Sequence, residues 1–514
     1  GKSDAQDIHP WVIAPVVALA AFMEILDISV ANVALPHIAG DLSASQDEST
    51  WTLTSYLVTN ACVMPVSGWL AARFGRKRFF LTCIASFTVA SLLCGLAPSL
   101  AVLVVLRAIQ GAAGGGLQPT GQAILTDAFP PEKRGIATAV YAVAAVLAPA
   151  IGPSIGGWIT DNYEWRWVFL INVPVGAVLL FLLGFLIRTP NETASKAAAG
   201  AGVDWAGLGF ITLSLGCLQI VLDRGQEDDW FASGMITTLT LLSALGFILL
   251  IWWEWPNRQP MIDLKLFKRR DFCVSFVLMF MLGFMILGST YLLPAFVQGL
   301  MGYRATEAGE IIAPGGLVLI ALFPLIGRIL NKVDLRILTA FGVLCCAAAL
   351  ELMTHFYLQV SFATLALARA FQAFGLGFLF LPINALAFRD IPRDRTNYAS
   401  ALINLARNFG GSVGISFAST LVTRRAQFHQ SRLVEGLQPL NPAFNDFTQH
   451  LGQVMQGTGL NINARMYQAT LQQASLLSYL DAFRAIALLF LLLLPLLLFV
   501  RRGAADGSAH AGGH

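Results

Sequence analysis

The sequence predicts an all-α integral membrane protein, and three observations carry that expectation. The 514-residue chain is 56% hydrophobic and only 12% charged, with a mean hydropathy of +0.67, a balance foreign to soluble globular domains. Its apolar residues gather into about fourteen runs of roughly 17–25 residues, the length an α-helix needs to cross a bilayer. Landmarks in the first half also recur at a fixed distance in the second. Arg107-Ala-Ile-Gln110 returns as Arg369-Ala-Phe-Gln372, an offset of 262 (369 − 107), and the same offset joins Pro130 to Pro392, Ala137 to Ala399 and Gly152 to Gly414. Four landmarks in register imply duplicated halves, the architecture of an alternating-access transporter with its site at their interface.

In chain order the runs are 11–35, 51–71, 79–96, 100–125, 136–159 and 166–187, then 205–222 and 233–253, the two weakest. The second half supplies 272–296, 308–330, 336–354, 361–386, 398–422 and 483–500. On this reading 1–187 is an N-terminal six-helix bundle, 204–256 an inserted two-helix hairpin, and 257–500 a C-terminal six-helix bundle. Residues 188–203 read as a cytoplasmic linker. Residues 423–482 read as one long periplasmic loop, rich in Gln and Asn, with helical periodicity from Asn463 to Leu480. A loop of that length meets a partner, caps an exit path or is variable surface. The Gly/Ala-rich tail 501–514 reads as disordered.

The net charge of +3 excludes little, but its placement is informative. Most Lys and Arg lie in alternate loops, such as Arg73, Arg76, Lys77 and Arg78, then Lys133 and Arg134, then Lys265, Lys268, Arg269 and Arg270. The opposite loops carry Asp41, Asp47 and Glu48, or Asp223, Glu227, Asp228 and Asp229. The positive-inside rule then puts both termini in the cytoplasm, which requires an even number of spans. All seven cysteines fall within predicted spans, without metal-ligand spacing. Gly152-Pro-Ser154-Ile-Gly156 and Gly410-Gly-Ser412-Val-Gly414 satisfy a hydrolase pattern, but neither follows a strand, so both read as helix-packing glycines. With no phosphate-binding loop, ATP is not the expected energy source.

The first run carries two carboxylates, Glu24 and Asp27, and no basic residue. A charge near the bilayer centre costs about 2.5–3.5 kcal/mol on insertion scales, so such residues persist mainly where they serve a function. Three apart, the two acids share one helical face. Burial penalises the ionised form of a carboxyl, which suits a proton carrier; a structural carboxylate paired with an Arg is the plainer alternative.

Several segments resemble the fourteen-span drug:proton antiporters of the major facilitator superfamily, and within them EmrB-type exporters. Leu26-Asp27-Ile-Ser-Val-Ala-Asn32-Val-Ala-Leu35-Pro36 is similar to the group's span-1 signature. Gly68-Trp-Leu-Ala-Ala-Arg73-Phe-Gly75-Arg76-Lys77 resembles the superfamily's cytoplasmic gate motif, although Ala72 stands where that motif has Asp. Arg107, Gln110, Gly111 and Gly114 match the span-4 motif. Ala148-Pro-Ala-Ile-Gly152-Pro153-Ser-Ile-Gly156-Gly157 resembles the antiporter motif, with Ala148 in place of its first glycine, and Trp165-Arg166-Trp167 through Gly176 matches a stretch typical of the group.

The resemblance implies a proton-coupled exporter of hydrophobic or amphiphilic compounds in the bacterial inner membrane. It implies no cofactor beyond the proton gradient, no enzymatic activity and no nucleic-acid partner. It also implies a periplasmic adaptor (EmrA-type) and an outer-membrane channel (TolC-type). Asp27 becomes the proton site, tuned by Arg107; Glu24 is an addition that the signature does not demand. In this superfamily the cavity is lined by spans 1, 4, 9 and 12. Span 9 here carries Phe276, Phe280, Phe284 and Tyr291, which fit either an adaptable cavity wall or a lipid-facing stripe. Asn32, Gln110, Gln118 and Asn384 are expected polar contacts, and Arg407 a structural cation. Transport of one specific metabolite, fatty acid or siderophore, and a non-transporting membrane receptor, are the competing readings.

Overall fold

The computed structural model describes residues 10–186, 204–257, 260–330, 332–435 and 462–501. The linker 188–203, the centre of the expected periplasmic loop and the tail from 502 onward lie outside the described residues. Among those described, the secondary structure is helical, with no strand.

The first bundle comprises α1 (Pro10–Asp41), α2 (Gln46–Phe74), α3 (Arg76–Gly95), α4 (Leu100–Gly114), α5 (Leu117–Ala128), α6 (Pro131–Asn162), the single turn α7 (Trp167–Leu170) and α8 (Asn172–Leu186). The inserted hairpin is α9 (Trp205–Arg224, with a π-helical stretch at Thr212–Gly216) and α10 (Gly234–Glu254). The second bundle follows with α11 (Arg270–Met301), α12 (Ala305–Ile329), α13 (Leu335–Met353), α14 (Phe362–Phe388), α15 (Thr396–Glu435) and α16 (Ile462–Leu491).

Local chemistry sets the boundaries. A capping box starts α2: the Glu48 amide donates to Ser45 Oγ at 3.1 Å, and the Ser45 amide donates back to Glu48 Oε2 at 2.8 Å. Gly75 turns the chain from α2 into α3 at φ +86°, a conformation open to glycine without a Cβ penalty. Internal prolines in α1, α2, α6, α11, α12 and α14 are tolerated because neighbouring helices re-satisfy the freed carbonyls.

Eleven of the described helices are long and apolar enough to cross a membrane, or twelve if Ala137–Pro149 and Ile151–Asn162 of α6, bent by 44°, make one span. The polar-rich α2 and α15 fall outside that criterion, yet both pack lengthwise in the bundles. The expected fourteen is reached only by counting them. Helix occupies both ends of the expected periplasmic loop 423–482: α15 continues to Glu435, and α16 begins at Ile462, over the stretch Asn463 to Leu480 whose periodicity is helical. The last expected span, 483–500, is the end of α16 followed by a 3-10 turn at Leu494–Phe499.

The repeat is visible in three dimensions. An offset of 262 carries α1 to α11, α2 to α12, α3 to α13, α4–α5 to α14 and α6 to α15, as with Leu100 and Phe362, their first residues. It fails at α8 because the second bundle carries extra chain between α15 and α16. Packing repeats too: α1 lies on α6 as α11 lies on α15. The bundles meet along α6–α12 and α2–α15, with α5 also touching α15. Within the first bundle the apolar core is in two parts, one containing Ala14–Met23, Phe80 and Phe87, the other Leu26–Ile38, Leu103 and Phe169. Buried polar side chains occupy the layer between them.

Candidate functional site

That polar layer centres on Asp27 and Arg107. Arg107 Nη1 donates to Asp27 Oδ2 at 2.5 Å, and both side chains are wholly buried. Gln110, one turn along α4 from Arg107, donates to Asp27 Oδ1 at 3.0 Å, and Asn172 of α8 donates to the same oxygen at 2.7 Å. Asn172 is held in turn by Ser91 Oγ at 3.1 Å. The Arg107 guanidinium also donates to the Thr52 carbonyl (3.1 Å) and to Gln110 Oε1 (2.7 Å), and lies 4.3 Å from the centre of the Tyr56 ring. Four helices and α4 itself therefore fix one ion pair. Such pairing is what permits burial, since a lone charge here is strongly destabilising.

Glu24, also buried, has different partners. Gln118 Nε2 donates to its Oε2 at 2.6 Å and Asn60 Nδ2 to its Oε1 at 3.0 Å. Both are neutral amides. Gln118 then leads out of the first bundle: its Oε1 accepts a short hydrogen bond from Arg407 Nη2 of α15. Arg407 also donates to Asn404 Oδ1 (2.9 Å), Asn404 to Gln122, and Gln122 to Asn384 of α14. Ser400 Oγ adds a bond to the Pro119 carbonyl at 2.7 Å. A continuous chain of buried amides thus runs from Glu24 across the bundle interface.

In the second bundle Arg369 and Gln372 repeat the posture of Arg107 and Gln110. Arg369 donates to Gln372 Oε1 (2.6 Å), Ser289 Oγ (3.2 Å) and Thr290 Oγ1 (2.8 Å), and Gln372 donates to Ser289 Oγ at 2.9 Å. Ser289 stands 262 positions after Asp27 (289 − 27). The acid is present in one half only.

Of the expected cavity residues, Gln110, Gln118 and Asn384 are buried in these networks, whereas Asn32 and Tyr291 are exposed. The span-9 aromatics do not share one wall. Phe276 packs on Phe267 with ring centres 4.9 Å apart, Phe284 on Phe417 at 5.4 Å, and the Phe280 carbonyl lies against Gly410. An apolar cavity of about 360 Å³ near the acidic end is lined instead by Leu222 of α9, Trp230, and Val413, Phe417 and Leu421 of α15.

The antiporter-motif residues sit at the α1–α6 seam. A Cβ on Gly152 would collide with the Ser29 side chain, and one on Gly156 would lie 3.2 Å from Val30. Pro153 is half-buried between them and Gly157 buried. At the gate motif, a Cβ on Gly68 would meet the Asn397 and Tyr398 backbone of α15 at 3.0 Å. Arg76 pairs with Asp127 of α5 at 2.5 Å, Lys77 donates to the Gly184 carbonyl at 3.0 Å, and Arg73 lies over Trp69. Sequence reasoning missed Asn60, Gln122 and Asn404. Asn60 and Asn404 lie on the polar-rich α2 and α15, where one amide among several polar residues does not stand out.

A polytopic helical membrane protein whose two bundles are joined by buried polar side chains is a membrane transporter by architecture. Residues 17–415 match the model of the Major Facilitator Superfamily, and the chain belongs to that family. The multidrug export protein EmrB of Escherichia coli K12 is 37% identical over 505 residues, covering 97% of this chain and 96% of that protein. The fatty acid resistance protein FarB of Neisseria gonorrhoeae is 37% identical over 499 residues, 96% of each. Among solved structures, the proton:xylose symporter XylE shares the fold, with a TM-score of 0.59 and 14% identity over 97% of this chain and 98% of that one.

Proposed function

We propose that this protein exports hydrophobic or amphiphilic compounds from the cytoplasm in exchange for protons, by alternating access of its two bundles. The carrying observation is the fully buried Asp27–Arg107 pair in a superfamily transporter, 2.5 Å apart and ringed by Gln110 and Asn172. Near-full-length likeness to EmrB, a multidrug export protein, supports the substrate class. In this reading the ionised Asp27 holds Arg107, and a proton on Asp27 frees it, so the two facings of the cavity differ in proton affinity. Reciprocity between sites then couples substrate release to proton uptake.

The basic end, with Arg73, Arg76 and Lys77, faces the cytoplasm and both termini lie there, by the positive-inside rule. The membrane is the bacterial inner membrane. Residues 1–187, 204–256 and 257–500 act as bundle, inserted hairpin and bundle, and Gly152, Pro153, Gly156 and Gly157 form a pliable α1–α6 seam that moves with Asp27. Helices α15 and α16, extended toward the periplasm, offer a surface for an EmrA-type adaptor feeding a TolC-type channel. A second reading, export of fatty acids, is favoured by equal identity to FarB.

Flux in sealed proteoliposomes under an imposed pH gradient tests the proposal, with a cationic dye and a long-chain fatty acid as alternative substrates. Wild-type protein accumulates one of them in response to the gradient and Asp27→Asn does not. Gradient-driven accumulation by Asp27→Asn would remove Asp27 from the coupling step.

A further inference from the structure

Glu24 and Asp27 are one helical turn apart, yet their surroundings divide the work between them. Asp27 accepts from a cation and two amides, and its charge is matched in place. Glu24 accepts from two neutral amides and touches no cation. A buried carboxylate held only by amides gives up less on taking a proton than one held in an ion pair.

The complementary deficit lies across the bundle interface. Arg407, half-buried on α15, hydrogen-bonds the amide oxygens of Gln118 and Asn404 and makes no carboxylate contact among the described residues. Its nearest relayed anion is Glu24, at the far end of the Gln118 amide. One amide therefore accepts from the cation of one bundle and donates to the anion of the other, and the three groups polarise one another.

We infer that Glu24 is the proton-operated latch of the bundle interface: ionised, it holds Arg407 through Gln118 and keeps the α5–α15 seam closed; protonated, it releases it. The inference rests on the export reading above and extends it with a second proton-binding group. When Glu24 Oε2 takes a proton, its O–H faces the Gln118 N–H, and turning the amide restores the hydrogen bond by offering Gln118 Oε1 to that O–H. Turning presents the Gln118 NH2 to the Arg407 guanidinium, donor against donor. The buried cation also loses its relayed counter-charge, which weakens the Asn404–Gln122–Asn384 continuation of the seam. The other ionisable groups within electrostatic reach of Glu24 are Asp27 on its own helix, Tyr56 on α2, Cys83 on α3, Tyr141 on α6 and Arg407 on α15. Arg107 on α4 is engaged by Asp27. Among the described residues, Arg407 is the cation left for Glu24.

Hydrogen–deuterium exchange of the full chain in lipid nanodiscs, between pH 5.5 and 8.5 and corrected for intrinsic exchange, reads the seam without any substrate. In wild-type protein, peptides spanning 117–125 and 397–407 exchange at least about five-fold faster at the acidic end, the lower range for coupled sites. Glu24→Gln and Gln118→Met both show the fast rate at every pH. A pH response that survives Glu24→Gln, or one that survives Gln118→Met, overturns the latch. Should one of the two variants misfold, the other decides, since each alone breaks the Glu24–Gln118–Arg407 relay and a surviving pH response in it overturns the latch. Drug flux, measured on the same protein in sealed proteoliposomes, is scored apart: a pH-sensitive seam without flux removes the export reading and leaves the latch standing.

Discussion

Asp27 and Ser289 occupy one position in two copies of the same helical design. Each is met by the Arg and the Gln of a recurring Arg-x-x-Gln turn, Asp27 by Arg107 and Gln110, Ser289 by Arg369 and Gln372. Only the first copy carries a carboxylate. The pseudo-symmetric scaffold is thus electrically asymmetric at its centre, which is what a one-sided proton site requires.

The Asp27–Arg107 pair is expected to behave as a unit. Asp27→Asn or Arg107→Gln alone leaves a buried charge without its partner and destabilises the protein by about 3–5 kcal/mol. The double variant costs less than the two singles added, because neither charge remains. Thermal unfolding of the four proteins in one detergent checks this, and additive losses would show that the pair is not energetically coupled.

The second copy permits the converse experiment. Ser289→Asp places a carboxylate beside Arg369, whose present partners are hydroxyls and an amide. The variant is expected to fold with a melting temperature at or above wild type. Adding Arg369→Gln to it, which strands the new acid, should lower the melting temperature by several degrees. A lower melting temperature for Ser289→Asp alone would mean that the two copies are not interchangeable in geometry.

Gly68 tests the bundle seam at the basic end. Its neighbours are the Asn397 and Tyr398 backbone, which cannot rotate away from a new Cβ. Overpacking of this kind costs about 1–3 kcal/mol. Since the cost falls on the closed seam alone, Gly68→Val is expected to keep expression and helix content while raising exchange in 397–407. Unchanged exchange would show that the approach of α2 to α15 is not limiting.

The Arg76–Asp127 pair stands in contrast to the buried one. Both side chains are about a quarter exposed, so solvent screens them, and Asp127→Asn should cost under about 1 kcal/mol. The loss should shrink further in high salt. A loss as large as that of Asp27→Asn would assign Asp127 more than a surface role.

Much of this architecture was legible before any coordinates. Run lengths and loop charges pointed to the helices, while the expected fourteen spans stand against eleven apolar ones, with the bent α6 and the polar α2 and α15 making the difference. Those two carry polar residues where they meet across the bundle interface, so apolarity alone passes over them. The repeat in Arg107-Ala-Ile-Gln110 and Arg369-Ala-Phe-Gln372 located the pairing turns, and Glu24 and Asp27 stood out as acids in an apolar run.

The span-9 aromatics show where linear reading stops. Phe276, Phe280 and Phe284 share a helical stripe, but a stripe does not say which neighbour it meets, and the rings of Phe276 and Phe284 pack on different partners, Phe267 and Phe417. The same limit hid Asn60, Gln122 and Asn404, whose spacing carries no motif.

Membrane class, repeat and the presence of an acid follow from composition and periodicity, because burial in lipid penalises every unsatisfied backbone group and every unpaired charge wherever it lies along the chain. Which acid meets the arginine, and which reaches the other bundle through an amide, follows from contacts across 80 to 289 residues of chain. Those distances are set by helix packing, since a hydrogen bond depends on where two atoms meet in space, and periodicity constrains only the face from which each side chain departs.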